Sequence, residues 1–187
     1  MSAPEPLIVS EARIREVVDP ATALAAVREA FVALHEDRVT LPAILDFTFP
    51  DRHGEAHVKG AHIHGAEHWV VKAAAGFYDN PAVGLPPGSG VSLVFSASTG
   101  FLDSVLLDNG HLTDLRTAAA GALSIDLLAR EHIEHALIVG AGVQARLQLQ
   151  ALLGVRTPAA VTVFARRSDE ASRYAQEMGE SLGVAVG

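Results

Sequence analysis

The sequence contains no cysteine among its 187 residues. Disulfides and thiolate chemistry are excluded, and the composition fits a reducing compartment. Positive charge is also scarce: 14 lysines and arginines stand against 22 aspartates and glutamates, a formal net charge of −8 with a pI near 5.5. Nucleic acid and anionic membranes carry the same sign, so non-specific attraction to either is disfavoured and a small molecule is the expected partner. No apolar run approaches the roughly eighteen residues a membrane span needs. Residues 1–10 also lack a basic start followed by an apolar stretch, so no secretory leader is expected. Together these absences predict a soluble, cytoplasmic protein.

What is present is an ordinary globular composition, 49% hydrophobic and 19% charged, sufficient to bury a core. The length suits one full domain and part of another, or one large domain. Asp19-Pro20 is the first clear helix start, a capping residue followed by a proline whose missing N–H costs nothing there. Leu24, Val27, Phe31 and Leu34 follow at helical spacing and are expected to pack a core. From Leu41 to Ser98 short β-branched and aromatic runs, broken by glycine-bearing turns, predict antiparallel strands. A thin, alanine-rich helix is expected from about Thr113 to Leu128. Beyond Glu131 the pattern alternates: strand 136–139, helix 143–153, strand 161–165, helix 168–182, then the start of another strand at Val184. The fold class is therefore α/β, with an α+β domain over 1–130 followed over 131–187 by the first part of a Rossmann-type domain. Such a sheet ordinarily has about four to six strands, so this portion is expected to be incomplete.

The segment Ala136-Leu-Ile-Val-Gly140-Ala-Gly142-Val143-Gln144-Ala145 carries the chemistry most plainly. It is a buried strand running into G-x-G-x-x-A and an apolar helix, with a second strand about twenty residues on, the context a dinucleotide fingerprint requires. Gly140 would make the tight turn, Gly142 would admit a pyrophosphate, and Ala145 would pack helix on strand. The second strand ends in Ala165-Arg166-Arg167 with no carboxylate for ribose hydroxyls. Two arginines there favour NADP(H) over NAD(H), unless Asp169 and Glu170 engage them.

Cations also stand in unusual places. Lys72 interrupts an apolar strand and must either face solvent or be held by an anion. Arg116 falls in the expected first turn of the thin helix, where the macrodipole disfavours a cation; Asp114 or a substrate carboxylate would compensate it. Lys59 is a third candidate anchor. His62 and His64 share a strand face, an arrangement that serves either a metal or solvent, but no third ligand stands at a recognisable spacing and no metal is expected.

Val71-Lys72, Asn80-Pro81, Gly84-Leu85-Pro86, Gly88-Ser89-Gly90, Thr99-Gly100, Leu107-Asp108, Leu112-Thr-Asp-Leu-Arg116-Thr117-Ala-Ala119 and the glycine fingerprint together resemble the ornithine cyclodeaminase / mu-crystallin family over nearly the whole chain, from about Leu41 to Leu182. The resemblance implies a substrate-binding domain that dimerises through its sheet and a Rossmann domain for a nicotinamide cofactor. It assigns Lys72 to the substrate carboxylate and reacting centre, Arg116 to the carboxylate, and Thr117, Val143 and Gln144 to the cofactor. The family's catalytic aspartate falls past Gly187, so the 187 residues alone are expected to be inactive. The chain departs from the family in three places: no cation stands near Thr48, with Arg52 close but unaligned; Lys59 replaces the glutamate of ornithine-cyclising members; and Pro87 stands where a threonine is common. Lys59 argues against ornithine, whose second ammonium it would repel, and for a ligand with another carboxylate. The expected function is hydride exchange at the α-carbon of an amino acid or its cyclic imine, by a homodimer. The alternatives are a non-catalytic cofactor- and ligand-binding protein or an inactive fragment.

Overall fold

The computed structural model describes residues 4–187. It divides into two compact units, one formed by residues 4–19 and 29–113 and the other by 20–28 with 114–187. The expected boundary near residue 130 falls after the alanine-rich helix, whereas this division falls near its start and also groups residues 20–28 with the second unit.

In the first unit, β1 (Leu7–Ser10) runs directly into α1 (Glu11–Val17). Ser10 caps that helix, its hydroxyl accepting from the Arg13 N–H at 3.4 Å. Neither element is expected from the sequence, because each is too short to show a period. α2 (Pro20–His35) starts at the expected proline, and of its expected inner face Leu24 and Val27 are half-buried. Ala23 and Ala33 are its buried residues, whereas Phe31 and Leu34 remain about half exposed, at 53% and 49%.

Five further strands and a two-residue one complete this unit: β2 (Val39–Thr40), β3 (Leu45–Phe49), β4 (Gly54–Ile63), β5 (His68–Phe77), β6 (Gly88–Ser96) and β7 (Leu102–Leu107). The order is β1-β7-β6-β5-β4-β2, and β3 pairs with the other part of the same edge of β4. All pairs are antiparallel except β1 with β7. Alternation along the strands separates two faces. Leu45, Phe47, Phe49, Val58, Val71, Leu93 and Val105 share the apolar face, where Leu45 and Phe47 are exposed. Asp46, His57, Lys59, Lys72 and Ser92 share the other.

In the second unit, α3 (His111–Leu128), which enters from the first, buries Leu115, Ala118, Ala119, Ala122 and Leu123. It is followed by β8 (His135–Val139), α4 (Val143–Val155), β9 (Ala160–Phe164) and α5 (Ser168–Leu182). β8 and β9 pair in parallel, and a parallel bridge from Val161 to Val186 begins a third strand. This is the expected Rossmann-type alternation. Leu149, Leu152, Val161, Val163, Tyr174 and Met178 form the core. Asp126 ties three helices of the unit together: its carboxylate accepts from Arg156 at 2.8 Å, just past α4, and from Arg28 of α2 at 3.0 Å. The Arg156 guanidinium holds that carboxyl below its ordinary value. Among the described residues no helix is long and apolar enough to cross a membrane.

Tyr174 has no exposed surface and donates its hydroxyl to the Ala145 carbonyl at 2.8 Å. Burial holds its phenol above the ordinary value, so it remains a donor. Tyr174→Phe keeps the packing and orphans one carbonyl, so unfolding free energy from denaturant titration is expected to fall by about 1 kcal/mol. No loss would mean that the bond is not formed in solution.

Candidate functional site

On the polar face of the first sheet, pairing register sets Lys59 of β4 directly opposite Lys72 of β5, and Lys72 opposite Ser92 of β6. Lys72 is half-buried and donates from Nζ to Thr113 Oγ1 at 3.0 Å. Ser92 is buried. Lys59 is exposed and forms no ion pair with any described residue. The carboxylates of this face are engaged by other groups: Asp46 Oδ1 lies 2.6 Å from His57 Nδ1, and Glu55 accepts from the Tyr78 hydroxyl at 2.7 Å, which raises the Tyr78 phenol above its ordinary value. Thr48 stands opposite Glu55 with no cation beside it in register, and Arg52 lies in the exposed turn before β4. His62 and His64 do not form a metal cluster: His62 Nε2 reaches the Ala66 carbonyl at 3.4 Å and His64 Nε2 reaches Thr40 Oγ1 at 3.0 Å. No three potential ligands are grouped among the described residues.

The start of α3 explains where Arg116 lies. Asp108, only 1% exposed, accepts from the Leu112 N–H at 2.9 Å, so the helix begins at His111 and Arg116 falls in its second turn instead of its first. Asp114 does not pair with Arg116; its Oδ1 accepts from Gln144 Nε2 at 2.9 Å. Arg116 is exposed and without an ion pair among the described residues. Asp108 at a helix start is legible as a cap signal. Thr113 as the partner of Lys72 is not, since nothing in the sequence sets one beside the other.

In the second unit the glycine turn has the geometry its sequence requires. Gly140 has φ +105°, a conformation side chains disfavour, and its N–H donates to the Phe164 carbonyl at 2.7 Å, tying the tip of β8 to that of β9. Gly142 is extended, and a Cβ built there would meet nothing within 4 Å. No side chain caps α4, which starts at Val143, an exposed residue. Gln144 turns its amide nitrogen toward Asp114, leaving Oε1 buried with no partner. Arg146, which sequence reasoning passes over, folds back onto the turn. It donates to the Ala141 carbonyl and, at 3.3 Å, to that of Gly142, while its guanidinium lies 5.2 Å from the Tyr174 ring and pairs with Glu177. Thr117 accepts at its carbonyl from Gln148.

A cleft opens beside the turn, lined by Val139, Gly140, Ala141, Phe164, Ala165, Arg166 and Glu170. The two arginines at its mouth differ: Arg166 lines the cleft, whereas Arg167 bonds the Glu170 carboxylate. An open glycine turn and a helix start with no side-chain cap fit the pyrophosphate of a dinucleotide.

The sequence profile of the ornithine cyclodeaminase/mu-crystallin family matches residues 5–187. A protein of Rhizobium meliloti named as a dehydrogenase is 43% identical over 180 residues, 96% of this chain and 55% of its own length. An alanine dehydrogenase of Archaeoglobus fulgidus is 29% identical over 96% of this chain and 55% of its own. Among solved structures, a Δ1-pyrroline-2-carboxylate reductase of Thermococcus litoralis with NADH and L-proline superposes with a TM-score of 0.88 at 26% identity, covering 96% of this chain and 55% of that one. An archaeal alanine dehydrogenase dimer with bound NAD gives 0.87 at 26% identity, covering 97% and 55%. The chain thus spans about half the length of the curated relatives it matches.

The two glycines of the turn are expected to respond differently to substitution. Gly140→Ala forces a side chain into a positive-φ conformation and should cost on the order of 1–2 kcal/mol of stability. Gly142→Ala should change stability by less than about 0.5 kcal/mol. Equal losses in denaturant titrations would contradict the turn geometry.

Proposed function

The chain belongs to the ornithine cyclodeaminase/mu-crystallin family, and from that premise we propose that it is part of a cytoplasmic, nicotinamide-dependent enzyme that exchanges hydride at the α-carbon of an amino acid or its imine. The observation that carries this reading is the glycine turn, with Gly142 open to the approach of a pyrophosphate and no side chain capping the helix that follows. The bound cofactor supplies hydride exchange, and the residues of the chain supply binding and orientation. Lys72 and Arg116 bind the substrate carboxylate. Thr113, through its hydroxyl, steadies the Lys72 ammonium and fixes its direction. A carboxylate held at defined cations restricts the α-carbon to one presentation, which is the positioning contribution to catalysis. Thr117, Gly140, Gly142, Val143 and Gln144 bind the cofactor. The exposed apolar face that includes Leu45 and Phe47 supports a homodimer formed through the first sheet, for which sedimentation would give twice the chain mass.

Arg166 in the cleft favours NADP(H), because its guanidinium can pair with a 2′-phosphate. Arg167 is the second phosphate candidate, and its bond to Glu170 neutralises the one carboxylate that would repel a phosphate in the cleft. Exposure weakens both interactions, so a preference of about tenfold, ~1.4 kcal/mol, is expected. Calorimetric titration of both cofactors tests it: the preference should shrink as salt rises and disappear in Arg166→Ala. Equal affinity of the unaltered protein at low salt would overturn the assignment.

Lys72→Ala and Arg116→Ala should each lower kcat/KM by the equivalent of about 2–4 kcal/mol, the scale expected when a charge-assisted hydrogen bond is removed from a desolvated site. The assay is NAD(P)-linked turnover by the protein as its gene encodes it. Unchanged kcat/KM in both variants would exclude the carboxylate role.

A further inference from the structure

We propose that Lys59 and Lys72 form a two-anion subsite, and that the substrate is an amino or imino acid bearing a second carboxylate on a short side chain. Antiparallel register makes these lysines direct cross-strand neighbours on one face. Such neighbours stand about 5 Å apart at Cβ, and like charges there destabilise the pair. A sequence under no other demand would replace one of them, or set an acid between them. No described carboxylate pairs with Lys59. The acids nearest along this face are engaged elsewhere, Asp46 with His57 and Glu55 with Tyr78.

The surroundings suit a bound dianion. Ser92, next in the row beyond Lys72, is buried and makes no side-chain hydrogen bond among the described residues, so its hydroxyl is available to a carboxylate oxygen. Beyond Lys72 on the same face the Gly110 backbone packs over Gly90 and the Tyr78 ring over Gly76, so the row Lys59–Lys72–Ser92 is bounded on that side. A carboxylate held at Lys72 and Thr113 would set a second carboxylate, carried on a short side chain, within reach of Lys59 across one strand pairing. A side-chain ammonium or an apolar group would leave Lys59 uncompensated. The subsite thus selects against diamino acids and against alanine-sized substrates.

Binding and turnover test this separately, since only turnover rests on the proposed enzyme function. In calorimetry at low salt, succinate is the dicarboxylate probe, with butyrate and 1,4-diaminobutane as controls. Succinate should bind at least about tenfold more tightly than butyrate, the diamine should not bind, and Lys59→Met should abolish the difference. In NAD(P)-linked assays aspartate or glutamate should exceed alanine and ornithine in kcat/KM. Lys59→Met should lower the dicarboxylate-to-alanine ratio about tenfold, and Lys59→Glu should shift preference toward diamino acids. Lys59→Glu faces Lys72 with an opposite charge, so loss of fold cannot account for its effect. Equal binding of succinate and butyrate, or a selectivity ratio unmoved by both variants, overturns the subsite. Absence of turnover with every amino acid, alongside Lys59-dependent succinate binding, overturns the enzyme reading and leaves the subsite standing.

Discussion

Antiparallel pairing puts Lys59 directly opposite Lys72, and the organisation of the polar sheet face follows from accommodating two like charges there. Register cannot relax the clash, because a slip of β4 by one residue would send Val58 to the opposite face along with Lys59. Lys59 therefore remains in water, where its charge is screened, and Lys72 has a hydroxyl partner in Thr113. Asp108 anchors that partner: its buried carboxylate fixes the first turn of α3, from which Thr113 reaches Lys72. A cap, a helix start and a strand register thus together set the direction of one ammonium group.

The second unit solves a different problem with a similar economy of parts. A glycine at positive φ turns the chain between β8 and α4, and the carbonyls of that turn would otherwise compete for the space a phosphate needs. Arg146 draws the Ala141 and Gly142 carbonyls to itself, and is in turn held by Glu177 and the Tyr174 ring. With those carbonyls engaged, the backbone N–H groups at the start of α4 are the polar groups left for an anion, as binding at a helix start requires. Tyr174 links this arrangement to the core by donating to the Ala145 carbonyl.

Much of this is legible in the sequence where a local rule governs. The glycine turn, the parallel alternation after residue 131 and the bounds of α5 follow from motif and period, and all appear in the structure. Local rules also put Lys72 on a strand with a need for a partner. They fail where the answer lies in pairing or packing. The Lys59–Lys72 juxtaposition depends on a hairpin register that no periodicity encodes, and Thr113 lies 41 residues from its partner. On α2, helical period points to Leu24, Val27, Phe31 and Leu34 as the inner face, of which the first two are half-buried and the last two exposed, while Ala23 and Ala33 are the buried residues. Arg116 lies about two residues further into α3 than the alanine-rich run suggests, because Asp108 starts the helix at His111.

The claim that unites both units is that hydride passes between a nicotinamide ring and the α-carbon of an amino acid. The most direct measurement follows the label: the protein as its gene encodes it, incubated with a 2-oxo acid, ammonia and a reduced nicotinamide cofactor carrying deuterium at its transferable position, with the product read by mass spectrometry. The expected product is an amino acid bearing one deuterium at the α-carbon. An amino acid formed without the label would contradict it.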